Sequence, residues 1–306
     1  MTAATTAANP PYREFMPAPP PEKPRVWTLA VATVLAAVGA VVGSLVVGGV
    51  FVLQMIARFL DEHGRAPTAA AVGRAVNSFA QTPAVLIGSG LASCLSFAFF
   101  ALVPASLSEA GLVDRLRLRA HRGWFAWGLV AGVGLLGIGL VSSGVLALLG
   151  LEGAGALGTI TRALTHLDLP MAVTAVAVIG LGAGVGEELF FRGYLLTRLA
   201  ARWRPWVGGA ITAALFAAAH LDPLHSTFAL AVGVFLGWVS LRTGSIRATL
   251  VAHALNNTVG VVAMAASSRV EATSRGTAAL QLAAGVVVVT ACVVAFSRGR
   301  FEPPER

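Results

Sequence analysis

Two adjacent glutamates in an otherwise apolar stretch are the first residues that could carry out chemistry. Glu187 and Glu188 are followed by Arg192. On a helix, Glu188 and Arg192 are four residues apart, the spacing at which a carboxylate and a guanidinium meet. This pairing leaves Glu187 without a partner in its own segment, and a desolvated carboxylate of that kind is suited to accepting a proton. We therefore predict Glu187 as the chemical group and the other two residues as its support.

Two further apolar stretches carry isolated polar side chains. His220 follows Phe216 by one helical turn, and Asn257 follows His253 by the same interval. A single helical histidine is most often a hydrogen-bonded core residue, and neutral polar groups on a transmembrane face can simply join two helices. Together with Glu187, however, these groups can be satisfied in hydrocarbon only by meeting one another or by lining a wet cavity. We therefore expect them to converge on one buried polar site.

A carboxylate with two imidazoles can activate a water molecule. Glu187, His220 and His253 can do so directly, or as the ligands of a divalent metal ion such as zinc. The carboxamide of Asn257 can donate to a developing oxyanion. The sequence contains neither the G-x-S-x-G motif of serine hydrolases nor the H-E-x-x-H motif that indicates zinc. The predicted chemistry is hydrolysis by an activated water, with metal dependence left open.

The composition indicates what kind of element must position these residues. Of the 306 residues, 56% are apolar and only 12% are charged, and a soluble domain carries about a quarter charged residues. The net charge of +8 would suit a polyanionic partner, but the positive residues are scattered through loops, so no nucleic-acid partner is expected. Two cysteines in apolar runs exclude a disulfide framework. The chain is therefore predicted to lie in a lipid bilayer.

Eight apolar runs approach or exceed the length of a transmembrane helix, which is about 20 residues for a bilayer core of about 30 Å. The sequence thus predicts an all-α, polytopic membrane bundle with about eight transmembrane helices. The runs are 27–53, 83–106, 124–149, 170–197, 205–221, 226–241, 246–266 and 277–297. The fifth and sixth runs are short and are joined by only four residues. They are expected to form a tight helical hairpin with its turn buried in protein.

If both helices were straight and fully inserted, the two histidines would lie at different depths in the membrane. His220 lies about 24 Å from Arg204 along its helix, and His253 lies only about 9 Å from Arg247. A common site therefore requires the fifth helix to begin in the cytosol, to tilt, or to end near the middle of the membrane. The sequence does not choose among these three arrangements.

The basic residues between the runs predict the orientation. With the amino terminus inside, fifteen arginines and lysines fall in inner segments and six in outer segments. This asymmetry predicts a multi-pass protein of the cytoplasmic membrane with both termini in the cytoplasm. The preference for arginine over lysine is typical of a GC-rich bacterial genome. Since Glu187 and His253 lie nearer the inner ends of their predicted helices, substrate is expected to reach the site from the cytoplasm.

The three polar stretches resemble the motifs of the CPBP (Abi) intramembrane metalloproteases, a family that includes the type II CAAX prenyl endopeptidases. The resemblance covers about residues 170–266 and extends to the run LRTGSIRATLVAHALNN at 241–257. The three motifs are Glu187-Glu188-x-x-x-Arg192, Phe216-x-x-x-His220 and His253-x-x-x-Asn257.

The resemblance implies an intramembrane endopeptidase acting on a membrane-associated peptide or protein, in CAAX-type processing or in a role like bacteriocin immunity. It implies these roles: Glu187 and His220 activate the attacking water, His253 and Asn257 stabilise the oxyanion, Glu188 and Arg192 brace the site, and Phe216 supports it. Composition and hydrophobicity predict a disordered cytoplasmic tail at 1–25, amino-terminal transmembrane helices at 26–165, and a last transmembrane helix with a cytoplasmic tail at 271–306. The resemblance places the catalytic core at 166–270.

Two other classes of protein can use a buried carboxylate and histidines. A proton-coupled transporter would use them as a relay, although such proteins usually show duplicated halves and this sequence shows none. A non-catalytic membrane scaffold would keep the same fold without the reaction. Cleavage of a membrane peptide that depends on Glu187 distinguishes the protease from both.

Overall fold

The computed structural model describes residues 25–79, 81–109, 111–267 and 273–301, and within these ranges it is helical without strands. Apart from Arg25, the tail predicted at 1–25 lies outside the described residues. We number the helices in chain order as α1 (Val26–His63), α2 (Ala69–Phe79), α3 (Pro83–Ser106), α4 (Gly111–Arg115), α5 (Trp124–Leu148), α6 (Gly155–Leu164), α7 (Leu169–Arg202), α8 (Pro205–Ala218), α9 (Pro223–Thr243), α10 (Arg247–Ala266) and α11 (Arg275–Arg298).

Seven of these helices are long and apolar enough to cross a membrane, which confirms the predicted class of fold. They are α1, α3, α5, α7, α9, α10 and α11. The predicted number of about eight is close, and the difference lies at the fifth run, because α8 has only 14 residues. At 1.5 Å per residue it is about 21 Å long, which is less than the thickness of a bilayer core.

Both ends of the described chain lie at one end of the bundle. Leu29, near the start of α1, packs in the same apolar cluster as Leu116 of the connection between α3 and α5. Phe301, after α11, packs against Trp127 with ring centres 4.9 Å apart. We call this end, which holds residues 111–123, the arginine-rich end, and the opposite end, which holds α6, the α6 end.

The long helix α7 is irregular on both sides of its glutamate pair. Two π-helical segments, Val176–Ala183 and Glu188–Leu196, flank a four-residue α-helical segment, Gly184–Glu187. Such π segments are rare and are frequent at functional sites, because the extra residue per turn changes the direction of the side chains. The two glutamates therefore lie where the helix changes its winding.

Glycines let two neighbouring helices approach α7 closely. A Cβ atom at Gly184 would lie 3.0 Å from the backbone of Ala254 in α10, and one at Gly180 would lie 2.7 Å from Thr258. On the α3 side, a Cβ at Gly186 would lie 2.6 Å from the backbone of Cys94. The small residues thus bring α3 and α10 into direct backbone packing with α7.

The structure also explains how the two histidines reach a common depth. A Cβ at Gly193 of α7 would lie 3.4 Å from Ile246, so this residue is level with the start of α10. The remainder of α7 extends past that level, and α8 begins beyond it, with Gly208 against Ala200. The helix carrying His220 thus begins beyond the start of α10 along the bundle, which brings His220 and His253 towards a common depth.

The hairpin between α8 and α9 is held by Asp222. Its carboxylate accepts hydrogen bonds from the backbone of His225 at 2.8 Å, which caps α9, and from the backbone of Ala156 at 3.1 Å, at the start of α6. The bond from His225, together with that from Ala156, lowers the pKa of Asp222 below its usual range. The turn is therefore tied to the α6 end of the bundle.

Candidate functional site

Glu188 and Arg192 form a fully buried ion pair inside the bundle. Their oxygen and nitrogen atoms are 2.6 Å apart, and both side chains are at most 1% exposed. The guanidinium also lies 4.5 Å from the centre of the Phe216 ring and donates to the carbonyl of Gly233 at 3.4 Å. Removing either partner of such a pair would leave the other charge buried and unpaired. The pair therefore holds the two side chains in a fixed position. The predicted ion pair is present, and the supporting role of its two residues stays a prediction.

His253 connects the two glutamates. Its Nδ1 atom lies 2.9 Å from Oε1 of Glu188, and its Nε2 atom lies 3.7 Å from Oε2 of Glu187. An ionised carboxylate only accepts hydrogen bonds, so the Nδ1 atom carries the proton in the first contact. Glu188 therefore orients the ring, and the opposite ring nitrogen faces Glu187. The sequence spacing did not predict this Glu188–His253 contact, because the two residues are 65 positions apart.

His220 has the same arrangement of its ring nitrogens. Its Nδ1 atom lies 2.9 Å from the backbone oxygen of Phe216, which leaves Nε2 without that constraint. The ring packs edge-on against Phe216, with centres 5.0 Å apart, and Phe216 lies 5.9 Å from the His253 ring. Phe216 thus separates and positions the two histidines.

His225 is a site residue that the sequence reasoning missed. Its ring lies 4.4 Å from that of His220, centre to centre. The available signal was its position three residues after Asp222, where the capped turn brings the start of α9 back alongside the end of α8. His225 is therefore a third imidazole beside the site.

A cavity of about 270 Å³ unites four of the predicted residues, Phe216, His220, His253 and Asn257. It lies between α5, α6, α8, α9 and α10. Its walls are formed by Leu135, Ile138, Gly139, Ser142, Ser143, Leu146, Leu157, Phe216, His220, His225, Phe228, Ala229, Val232, His253, Asn256 and Asn257. Glu187 adjoins this cavity through His253, and its side chain is 18% exposed.

Asn257 is positioned by the irregular part of α7. Its amide nitrogen lies 3.4 Å from the backbone oxygen of Ile179, in the first π segment, and its amide oxygen accepts from Asn256 at 3.2 Å. The amide group has two N–H donors, so one remains for a ligand in the cavity. Asn257 can therefore donate to an oxygen that develops negative charge there.

In the part of the chain that the structure describes, the donor atoms of the site are not grouped around one metal position. Zinc in proteins takes three or four side-chain ligands. Within the described ranges, no three or more His, Cys, Asp or Glu side chains are grouped closely enough to hold one ion. The predicted set of Glu187, His220 and His253 is not assembled in this way.

These features define a helical, multi-pass membrane protein with a glutamate and histidine site between its helices. Residues 169–259 match the family model described as type II CAAX prenyl endopeptidase Rce1-like, which confirms the resemblance seen in the three motifs. The matched range begins at the first residue of α7 and ends in α10. Comparisons with curated proteins and with solved structures gave no significant match. The family match supports, in general terms, an intramembrane protease of the CAAX type with a membrane-associated protein substrate.

Proposed function

We propose that this protein is an endopeptidase that hydrolyses a membrane-associated peptide or protein with a water molecule activated by Glu187. The observation that carries the proposal is the chain of contacts from Glu188 through His253 to Glu187, at 2.9 and 3.7 Å. The second distance is longer than a hydrogen bond. A water bound beside both groups can donate one proton to the carboxylate and direct its oxygen towards the cavity.

In the proposed reaction, Glu187 takes a proton as the water oxygen attacks the carbonyl carbon of the scissile peptide bond. The carbonyl oxygen becomes negative and accepts hydrogen bonds from Asn257 and from Nε2 of His253, which donates there as part of a doubly protonated ring whose Nδ1 still donates to Glu188. When the carbon–nitrogen bond breaks, Glu187 returns its proton to the leaving amine. His220 offers Nε2 as a second acceptor that holds the water before the attack.

The metal-dependent form of this proposal needs three ligands on one ion. Glu187 and His253 supply two donors close to each other, and His220 belongs to the same cavity without joining them. We therefore favour water activation without a metal. Metal analysis of the purified enzyme tests this choice: activity without a stoichiometric divalent ion is expected. Activity proportional to bound zinc would overturn it.

In the cell we place the arginine-rich end of the bundle in the cytoplasm and both termini on that side of the bacterial membrane. The excess of basic residues at that end supports this orientation. CAAX-type processing and a role like bacteriocin immunity both fit a membrane-associated peptide substrate. The site residues favour neither.

The test compares wild-type protein with Glu187→Gln in proteoliposomes that contain a library of membrane peptides. Cleavage is scored by mass spectrometry as new peptide termini, and proton flux is recorded in parallel. Glu62→Gln is the matched control, since Glu62 is an exposed glutamate at the end of α1. Cleavage that requires Glu187 but not Glu62 is expected. Proton flux that requires Glu187, without any cleavage, would favour the transporter, and the absence of both activities would favour the scaffold.

A further inference from the structure

The cavity has a definite direction within the bundle. α5 and α10 run in parallel from the arginine-rich end, since a Cβ at Gly128 would lie 2.7 Å from Val251 and one at Gly132 would lie 2.7 Å from Leu255. His253 is therefore level with residues 128–132 of α5. The cavity wall on α5 begins beyond that level, and every member of it lies closer to the α6 end.

Along α5 the wall runs from Leu135 to Leu146, and on the opposite side it includes Leu157 of α6. At 1.5 Å per residue, Leu146 is about 21 Å beyond Gly132. The cavity therefore leads from His253 away from the arginine-rich end. The sequence predicted the opposite direction because the depth of Glu187 and His253 was the only information it offered.

On its arginine-rich side the site is closed by packed side chains. All nine residues of the segment Glu188–Leu196 are buried. Phe190, Phe191 and Tyr194 of this segment share one apolar cluster with Leu116. A peptide arriving from this end would have to displace that cluster.

A second cavity at the arginine-rich end, of about 520 Å³, contains none of the site residues. It is lined by Val113, Leu118, Trp124, Arg247, Leu250, Val251 and Ala254. A substrate arriving from the arginine-rich end would meet this cavity first, so it is the alternative point of entry.

The cavity that contains the site opens sideways at Gly139 and Ser143. Both residues are exposed and lie about one turn apart on α5. A Cβ at Gly139 would meet no atom within 4 Å, so this position faces open space. Phe228 and Val232 of α9 form the facing wall. The opening therefore lies between α5 and α9, in the half of the bundle near the α6 end.

The walls of the cavity fit an apolar peptide with a polar backbone. Seven of the sixteen lining residues are leucine, isoleucine, valine or phenylalanine, and seven are polar, namely two serines, three histidines and two asparagines. The volume of about 270 Å³ is close to the lower limit of ligand pockets, about 300 Å³. Such a space suits a short stretch of one extended chain.

We propose that the substrate is an apolar, membrane-embedded peptide segment that enters between α5 and α9 from the half of the bilayer opposite the arginine-rich end. With that end in the cytoplasm, the substrate approaches from the extracytoplasmic half of the membrane. This inference rests on the proposed function and specifies the substrate class and its route.

Tryptophan variants test the route in proteoliposomes. Gly139→Trp and Ser143→Trp fill the opening without touching Glu187 or His253, and each is expected to lower cleavage of a membrane peptide at least about tenfold. Gly49→Trp is the matched control, because Gly49 is an exposed α1 glycine that also faces open space. Val113→Trp fills the competing cavity, and both it and the control are expected to retain wild-type cleavage.

Cysteine labelling gives a second measurement that does not depend on activity. In a Cys94→Ala, Cys292→Ala background, Ser143→Cys is treated with a membrane-impermeant maleimide from either side of the membrane. A thiol in a wet cavity forms the reactive thiolate, whereas one in lipid does not. Labelling from the extracytoplasmic side is expected, and Val287→Cys, on an exposed apolar face of α11, is the control expected to stay unlabelled.

The outcomes separate this inference from the proposed function. If cleavage requires Glu187 but Val113→Trp is the variant that abolishes it, the substrate enters at the arginine-rich end, and only the route is wrong. Labelling of Ser143→Cys from the cytoplasmic side alone would also overturn the route. If wild-type protein shows no cleavage that depends on Glu187, the proposed function fails whatever the labelling shows.

Discussion

The two halves of α7 differ sharply in their surroundings, and the change falls between its two glutamates. Before Glu188 the helix keeps an exposed apolar face, to which Leu181 and Val185 belong. From Glu188 to Leu196 every residue is buried. Glu188 is fully enclosed between Arg192 and His253, whereas Glu187 remains partly exposed. Two identical side chains in adjacent positions thus have different surroundings. Those of Glu188 suit a structural role, and those of Glu187 suit a chemical one.

Replacing each glutamate with glutamine is expected to reveal the largest difference between the two positions. Glu187→Gln is expected to lower turnover by about 10²–10⁴, because an amide cannot take the proton of the water. Its thermal unfolding in detergent should match that of the wild type. Glu188→Gln is expected to lower the unfolding temperature and to reduce turnover by only about 10–100-fold, through loss of the orientation of His253.

Turnover and unfolding are measured on the same preparations, so a loss of activity is not mistaken for a loss of folded protein. An active Glu187→Gln variant beside an inactive but well-folded Glu188→Gln variant would reverse the two roles.

Removing the cation should affect stability more than any other single change in the buried half of α7. Arg192→Ala leaves Glu188 as an unpaired buried charge, and the expected loss of stability is about 3–5 kcal/mol. Arg202→Ala is the matched control, since Arg202 is an exposed arginine of the same helix. Its effect is expected to stay within about 0.5 kcal/mol. Equal effects of the two variants in denaturant unfolding would contradict the supporting role of Arg192.

Substitution on the glycine face of the first half of α7 is expected to have a smaller effect on stability. A Cβ at Gly184 would lie 3.0 Å from the backbone nitrogen of Ala254, so Gly184→Ala must push α10 away from α7. The expected cost is about 1–3 kcal/mol in unfolding, with reduced turnover because α10 carries His253. Gly237→Ala in α9 faces open space and should cost nothing. A Gly184→Ala variant as stable and active as wild type would show that the contact is not tight.

Sequence reasoning predicted the transmembrane helices well because lipid imposes a simple rule on composition. The run predicted at 83–106 coincides with α3, and that at 124–149 ends one residue after α5. The run at 205–221 corresponds to α8, which has only 14 residues and is shorter than a full span. The lengths of helices that face lipid could be predicted from composition. The length of a helix packed mainly against other helices was harder to predict.

The site was predicted only as far as spacing along one helix could show. The Glu188–Arg192 pair follows from the interval of four residues, and the structure contains it. The contact from Glu188 to His253, the position of His225 and the direction of the cavity all depend on how α5, α7 and α10 pack. A periodicity that assumes a regular α-helix likewise could not predict the π segments of α7.

The smallest expected effect concerns Asp222, which ties the hairpin to the α6 end. The backbone hydrogen bonds from His225 and Ala156 favour the carboxylate and lower its pKa in the folded protein. A lowered pKa contributes stability that is present above the ordinary value near 3.8 and is lost as the pH falls through the folded value. Asp222→Asn keeps a capping side chain but removes the charge. The variant should therefore have a slightly lower unfolding temperature than the wild type at about pH 6, and the difference should shrink as the pH falls well below the ordinary aspartate pKa of 3.8. A difference in unfolding temperature that stays constant over this range would show that the charge of Asp222 contributes nothing to stability, and that only the shape of its side chain does.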